Sequence, residues 1–297
     1  MTIADPAPTA LGDLQRLAAG TLGWLDRHLE HFDPFSPAAR AAGHGRAKAA
    51  LELALLCRCG APDPGLARAT ALVRALWQHP DLPALLAEQP DCAAQYRLAF
   101  AALAPDRTTA TIDVPSADGL SPYQRLELRF YADQAGAPHT LESYQELAAR
   151  NQLATLPADP SAVSIPAAYA VTHSAFYLAD FGRLPVRGLS GPALAHARQL
   201  VRTLLAHSVR RAWWDLTAEL LLAAHCLGDP PLLTPGGADA VRCLARAQRP
   251  DGSIPGRSAA TAADGPLPAG PYFARAYHTT LVTALTALRL GEDGGAR

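Results

Sequence analysis

The sequence predicts an all-α protein, and three observations support this fold class. Apolar residues recur at helical spacing along most of the 297-residue chain, and strand-like alternation is nearly absent. Clusters of proline and glycine, such as "APDPG" and "LGDPPLLTPGG", separate the helical runs. Several apolar runs also end in a glycine, the residue that commonly follows a helix C-terminus.

The helical runs follow one another along the chain with short interruptions. The spacing of apolar residues predicts helices over 11–31, 36–59, 64–78, 82–103, 121–135, 140–152, 164–181, 190–209, 211–227, 236–248 and 273–290. Polar, amphipathic runs alternate with runs that are apolar on nearly every side. A helix of the second kind is expected to be covered by neighbours all round.

The glycines that end the apolar runs indicate an internal repeat. Gly136, Gly182 and Gly228 are spaced by 46 residues, and Gly291 follows after a longer loop. One helix pair per roughly 45 residues gives either an open solenoid or a closed ring. Because both helices of a solenoid pair are usually amphipathic, the all-apolar runs favour an α/α toroid with inner and outer rings of helices. We expect one domain over 1–297, with 1–105 either in the ring or forming a less regular helical cap.

Composition and charge exclude several classes of partner. The formal net charge is −1 without a basic stripe, so we expect no nucleic-acid partner. No uncharged apolar stretch reaches the roughly 18 residues that cross a bilayer, so we expect no membrane partner. The N-terminus lacks the basic and apolar pattern of a signal peptide, and five cysteines are typical of reduced thiols. These features predict a cytoplasmic protein, and they leave its oligomeric state open.

Polar residues recur at fixed distances before the four glycines. Thirteen residues before them stand Tyr123, Tyr169, Asp215 and His278. Nine residues before them stand Glu127, His173 and Glu219, with the apolar Val282 at the fourth position. The two positions differ by four residues, about one helical turn, and so lie on the same helix face. The register therefore predicts two stacked layers of polar side chains that several inner helices direct to one place.

Two interpretations of these layers remain open. Burying a carboxylate without a partner costs several kcal/mol, and a wet cavity, hydrogen-bonding neighbours or a metal ion would relieve that cost. One interpretation is a catalytic or binding cavity, and the other is a structural polar network. Asp180, seven residues after His173, is expected either to hydrogen-bond that imidazole or to cap its helix.

The cavity interpretation assigns a role to each candidate residue. The catalytic candidates are Asp215, Glu219, His173 and His278; the substrate-binding candidates are Tyr123, Tyr169, Glu127, Tyr177 and Trp214. Zinc or another divalent metal is the cofactor that these residue types suit, with His173, Asp215 and His278 as ligands and Glu219 as alternate ligand or general base.

The segment "CLARAQRPDGSIPG" (243–256) resembles the outer-helix-to-loop repeat of the terpenoid cyclase and protein prenyltransferase superfamily, through Gln248, Asp251, Gly252 and Ser253. This resemblance implies an α/α toroid. The segments "THSAFYLADFG", "WWDLTAELL" and "YHTTLVTAL" resemble an uncharacterised actinobacterial family associated with secondary metabolism. The acidic motifs of the cyclases are absent, and Thr217 stands where the zinc-binding cysteine of the prenyltransferases would be. The resemblance therefore implies the fold and none of the named activities.

These observations together predict an enzyme of natural-product metabolism. It would act on a small or medium apolar substrate by hydrolysis, elimination or cyclisation, with or without a metal ion. The alternative is a non-catalytic toroid that binds an apolar metabolite or serves as a scaffold. The enzyme and the metabolite-binding toroid both require a small-molecule partner, and a scaffold does not.

Overall fold

A computed structural model describes residues 8–42, 46–60, 63–88, 93–104, 112–262 and 267–295. These residues form sixteen α-helices and three short 3-10 helices, and no strand occurs among them, so the all-α prediction is confirmed. The α-helices are α1 (Pro8–Arg27), α2 (Leu29–Phe32), α3 (Pro37–Ala42), α4 (Arg46–Gly60), α5 (Ala67–Trp77), α6 (Leu82–Ala87), α7 (Ala93–Ala102), α8 (Pro122–Ala135), α9 (Tyr144–Arg150), α10 (Gln152–Thr155), α11 (Ile165–Leu178), α12 (Gly191–Arg210), α13 (Trp214–Cys226), α14 (Pro235–Ala247), α15 (Ala259–Ala262) and α16 (Ala269–Gly295). The 3-10 helices are Pro64–Leu66, Pro160–Ala162 and Pro231–Leu233.

The helix ends follow local sequence signals at most, but not all, of the predicted places. Gly136 ends α8 in the left-handed conformation at φ 67°, as its sequence position predicts. The prediction that a helix ends at Gly291 is wrong, because α16 continues to Gly295. A single glycine inside a helix costs only about 1 kcal/mol relative to alanine, which a long packed helix tolerates.

Six helices pack in an order that returns to its start. Helix α8 packs on α11, α11 on α13, α13 on α16, α16 on α4, α4 on α7, and α7 on α8. Two of the six, α11 and α13, are apolar on nearly every side and mostly buried. Helix α12 packs on α13 and α14, and α1 packs on α14 and α16. The apolar helices thus lie among neighbours, as their composition predicts.

The "DGS" turn after α14 holds the N-terminal helix against the C-terminal half. Oδ1 of Asp251 accepts hydrogen bonds from the backbone N–H of Ser253 at 3.0 Å and from its hydroxyl at 2.8 Å. Gly252 has φ 88°, and a Cβ there would lie 2.0 Å from the carbonyl oxygen of Gly20 in α1. Nε2 of Gln248 donates to the carbonyl of Leu17 in the same helix at 3.3 Å. Only glycine permits this close approach of α1 to the turn.

The hydrophobic core runs from α1 to α16, with buried side chains from both ends of the described chain. Within the described ranges, no helix combines the length and the apolar character that crossing a membrane requires. Four of the five cysteines, Cys57, Cys59, Cys226 and Cys243, are buried and free, and Cys92 lies outside the described residues.

Candidate functional site

A cavity of about 350 Å³ lies among the six helices of the packing circuit, and each of them contributes lining side chains. Seven lining residues are apolar: Leu51, Leu55, Phe176, Phe181, Leu281, Val282 and Leu285. The polar lining includes six of the residues that the sequence singled out: Glu127, Tyr169, His173, Tyr177, Glu219 and His278. The cavity volume falls at the lower end of the range for small-molecule sites, about 300–1,000 Å³.

Asp215 lies in the first turn of α13 and is only 1% exposed. The hydroxyl of Tyr169 donates to its Oδ2 at 2.7 Å, and the hydroxyl of Thr279 donates to its Oδ1 at 3.2 Å. Nε of Arg257 lies 3.9 Å from Oδ2. Burial raises the pKa of Asp215; His278 opposes that shift, and the neighbouring charge of Glu219 adds to it. Asp215 is thus a fully enclosed acid that sits behind the cavity wall.

Glu219 lies one turn further along α13 and is also 1% exposed. Its Oε2 accepts a hydrogen bond from the hydroxyl of Thr172 and lies 3.7 Å from Nε2 of His173. Its Oε1 lies 3.7 Å from Nε2 of His278. Burial alone would raise the pKa of this carboxyl, but the two imidazoles hold it well below its usual range. Glu219 therefore bridges the two histidines of the site.

His278 lies between three carboxylates. Its Nδ1 is 3.0 Å from Oε2 of Glu52 in α4, and its Nε2 is 3.6 Å from Oδ1 of Asp215 and 3.7 Å from Oε1 of Glu219. Burial opposes a charge on the ring, yet the acids raise the pKa of His278 well above its usual value. The same contact lowers the pKa of Glu52 against the effect of burial.

His173 is the more accessible of the two histidines, with 36% of its side chain exposed. Burial lowers its pKa and Glu219 raises it, and the net direction is upward. Its ring lies against aromatic neighbours: the centroids of Tyr169 and Phe176 are 6.4 and 5.8 Å away. His173 thus combines access to the cavity with a carboxylate partner, which suits an acid–base group.

A second acid–phenol pair lies in the same cavity. The hydroxyl of Tyr177 donates to Oε1 of Glu127 at 2.6 Å. Burial and the neighbouring carboxylate raise the pKa of Tyr177 well above its usual value. Tyr177 is therefore a neutral hydrogen-bond donor to Glu127 at ordinary pH.

Two of the nominated substrate-binding residues and one predicted partner lie elsewhere. Tyr123 and Trp214 are half-buried, and neither lines the cavity, although the ring centroid of Tyr123 is 6.5 Å from that of His173. Asp180 does not contact His173: its carboxylate forms a two-point ion pair with Arg58 of α4, at 2.7 and 3.0 Å. The interpretation of Asp180 as a partner of the imidazole is therefore wrong, because the chain turns at φ 47° and directs the carboxylate to α4.

One set of three side chains has the chemistry and spacing of a metal site. Ligand atoms of Asp215, Glu219 and His278 all lie within 4.8 Å of one another. Ligands bound at about 2.0–2.1 Å around a tetrahedral ion lie about 3.3 Å apart, close to the 3.6 and 3.7 Å from Nε2 of His278 to the two carboxylates. His173, nominated as a ligand from the sequence, is not part of this set, although its Nε2 lies 3.7 Å from Oε2 of Glu219. Glu219, nominated as an alternate, takes its place.

Several residues of the site were not predicted from the sequence: Glu52, Lys48, Arg257, Thr172 and Thr279. A signal for Glu52 exists, since it stands eight residues before Gly60, one place from the register that the other inner helices follow. No comparable signal in the sequence marks Thr172 and Thr279, because a threonine in a buried helix often serves only for packing.

The fold and the site together define a class: an all-helical protein with a histidine–carboxylate cavity among its central helices. A family model described as "Domain of unknown function (DUF6895)" matches residues 18–288, and the chain belongs to that family. The matched range includes every residue of the site. No curated protein and no solved structure matches the chain, so the resemblance to terpenoid cyclases and prenyltransferases stays a prediction.

Proposed function

We propose that this protein is an enzyme whose cavity binds a divalent metal ion and a small or medium apolar substrate. The observation that carries the proposal is the convergence of Asp215, Glu219 and His278: Glu219 and His278 line the cavity, and Asp215 lies behind its wall. Three protein ligands that leave a further position open are typical of catalytic zinc sites. Hydrolysis, elimination and cyclisation are the reaction types that such a site suits, and natural-product metabolism stays a prediction from resemblance.

The chain's own residues have distinct roles in this proposal. Asp215, Glu219 and His278 would hold the ion, which would polarise a substrate oxygen or lower the pKa of bound water. Tyr169 and Glu52 orient the ligands Asp215 and His278 through hydrogen bonds of 2.7 and 3.0 Å. Carboxylate and hydroxyl partners of this kind fix the position and tautomer of a ligand before the ion arrives.

His173 is the proton-transfer group in this proposal. Its side chain reaches the cavity, and its Nε2 lies 3.7 Å from Glu219, so a proton gained there is stabilised by a neighbouring negative charge. A side chain that contacts both the cavity and a buried carboxylate can accept a proton from a substrate and return it. His173 is therefore assigned as general acid and base instead of as a metal ligand.

We also infer that the central helices form the inner ring of an α/α toroid. The closed order of packing from α8 through α11, α13, α16, α4 and α7 supports this arrangement. The alternation of enclosed and amphipathic helices from α11 to α14 supports it as well. In such a ring the cavity lies along the axis, where the inner helices direct residues of one register.

The second candidate is a non-catalytic toroid that binds an apolar metabolite or acts as a scaffold. It is favoured by the hydrogen bonds that the buried acids already accept. Asp215 accepts hydrogen bonds from Tyr169 and Thr279, and Glu219 accepts one from Thr172. A self-satisfied network needs no ion. The two candidates differ in what the loss of His278 does.

Elemental analysis of protein purified without a chelator or a histidine tag tests the proposal. We expect about one equivalent of zinc or a similar ion, lost in His278→Ala and in Glu219→Gln but kept in the control His207→Ala, which changes a half-buried histidine outside the cavity lining. The metal-free variants should retain the helical circular dichroism spectrum of the wild type. No ion after incubation with zinc, together with a large loss of stability in His278→Ala, would support the scaffold instead.

A further inference from the structure

The exposed residues of the cavity lining are two cations. Among the lining residues only Lys48 and Arg257 are exposed, with 46% and 60% of their side chains accessible. Both line the cavity, and we define its mouth by these two exposed residues. Lys48 is the single lysine of the chain, so a primary amine occurs on no other side chain.

Lys48 and Arg257 lie at the two ends of a row of contacting side chains whose charges alternate in sign. Nζ of Lys48 lies 3.4 Å from Oε1 of Glu52, whose Oε2 contacts His278. His278 in turn faces Asp215, whose Oδ2 lies 3.9 Å from Nε of Arg257. Both terminal contacts are long, at 3.4 and 3.9 Å, and neither uses all the N–H groups of its cation. Lys48 and Arg257 therefore retain N–H donors that can face a ligand.

Apart from its charged and histidine side chains, the lining consists of hydrocarbon and aromatic rings. Leu55, Phe176, Leu281, Val282 and Leu285 line the cavity together with the tyrosines. About 350 Å³ holds roughly a dozen groups of the size of water, at about 30 Å³ each. A short hydrocarbon chain or a single ring system fits this space.

We infer that the ligand of this cavity is an apolar monocarboxylate, with its anionic group held at the mouth by Lys48 and Arg257 and its hydrocarbon part inside. The inference names the substrate class of the proposed function and rests on it. A single negative charge is favoured over a larger one, because Glu52, Glu127 and Glu219 also line the cavity and repel anions. Charged hydrogen bonds from lysine and arginine are strong partners for a carboxylate.

Calorimetric titration of the metal-free protein with four straight-chain probes tests the inference: octanoate, octanamide, octylamine and octyl phosphate. We expect octanoate to bind at least tenfold more tightly than octanamide or octylamine. Octyl phosphate, whose charge is about −1.5 to −2 at pH 7, should bind more weakly than octanoate. Tighter binding of octyl phosphate, or equal binding of octanoate and octanamide, would overturn the inference.

Substitutions at the mouth test where the charge is recognised. Lys48→Gln and Arg257→Gln should each weaken octanoate at least fivefold and leave octanamide unchanged. Lys48→Arg and the surface control Arg246→Gln should bind octanoate as the wild type does. An equal loss for both probes in the mouth variants would mean that these residues shape the cavity and do not recognise an anion, which would overturn the inference.

The single lysine allows a second test on the unmodified chain. Reductive methylation labels Lys48 and the N-terminal amine, and the latter is an internal reference. Saturating octanoate should slow the labelling of Lys48 at least fivefold and leave the N-terminal amine unaffected, whereas octanamide should protect neither. Protection of Lys48 by both probes alike would contradict recognition of the carboxylate.

The outcome is separable from that of the proposed function. Zinc bound at one equivalent by a protein that does not distinguish octanoate from octanamide would leave the metal site standing and refute the inference. Octanoate selectivity that depends on Lys48 and Arg257, in a protein that takes up no metal, would support the inference and refute the metal-dependent enzyme. Selectivity that appears only with zinc, and survives in Lys48→Gln, would place the carboxylate on the metal and overturn the inference.

Discussion

His278 and Glu52 are 226 residues apart in the sequence, and Nδ1 of His278 lies 3.0 Å from Oε2 of Glu52. This contact joins α4, near the N-terminus, to α16, the last helix of the described chain. It leaves Nε2 of His278 directed at Asp215 and Glu219. A carboxylate partner on the second nitrogen is a recurrent way to orient a metal-binding imidazole.

Replacing Glu52 by Gln should weaken zinc binding by about 10- to 100-fold, because the partner that orients His278 loses its charge. Zinc titration against a competing chelator measures this change. Glu88→Gln, which alters an exposed carboxylate paired with Arg46, is the matched control and should bind zinc as the wild type does. Equal zinc affinity in Glu52→Gln and wild type would show that Glu52 does not act through the ligand.

The inner-helix register explains how much of the site the sequence could predict. Counting from the capping glycines placed Tyr169, Asp215 and His278 in one layer, and the structure joins Tyr169 to Asp215 and Asp215 to His278. The register held for His278 although α16 continues past Gly291, because the helix face depends on the spacing of apolar residues and not on where the helix ends. Such periodicity is local, and the sequence carries it.

The rest of the site depends on which helices become neighbours, and periodicity does not encode this. Glu52 reaches His278 only because α4 packs on α16. Arg257 reaches Asp215 from an irregular segment that also accepts the backbone N–H of Asp215 through its carbonyl at 3.1 Å. Trp214 shows the opposite case: it adjoins Asp215 in sequence but lies on another face of α13 and packs against the core.

The metal-free protein should lose the stabilising contribution of His278 as the pH rises. The folded-state pKa of His278 lies well above 6.5, so its contribution is complete below pH 6.5 and is lost as the pH rises through the folded-state value. The difference in unfolding free energy between wild type and His278→Gln should therefore shrink from pH 6 to pH 9. Urea denaturation in the presence of a chelator measures it.

His207→Gln is the control for this pH dependence. Burial and two neighbouring arginines lower the pKa of His207, so its effect on stability is confined to the range below pH 6.5. The difference between wild type and this variant should be flat from pH 6.5 to pH 9. A His278→Gln difference that is equally flat would mean that the carboxylates around His278 do not stabilise its charged form.

The buried cysteines should resist thiol reagents in the native state. Burial raises the pKa of Cys57 and of Cys59 to about 11, so at pH 8 only about one thiol in a thousand is ionised. In a Cys92→Ser background, a chromogenic disulfide reagent should label the native protein slowly, and four thiols should react after unfolding in urea. Fast labelling of the native variant at any of the four positions would contradict this expectation.

The pair of Arg58 and Asp180 should contribute more to stability than to ligand or metal binding. Its side chains are 17% and 6% exposed, and Nη2 of Arg58 also donates to Gln134 of α8 at 2.6 Å, so the pair ties α4 and α8 to the end of α11. Removing one partner of a buried pair leaves an uncompensated charge, and Asp180→Asn should therefore cost about 3–5 kcal/mol of unfolding free energy. Asp239→Asn, which breaks an exposed pair with Arg242, should cost about 1 kcal/mol or less.

Chemical denaturation compares the two variants, and zinc titration of Asp180→Asn under native conditions should match the wild type, because none of the three metal ligands contacts Asp180. A loss of zinc affinity without a loss of stability would instead connect this end of the bundle to the site.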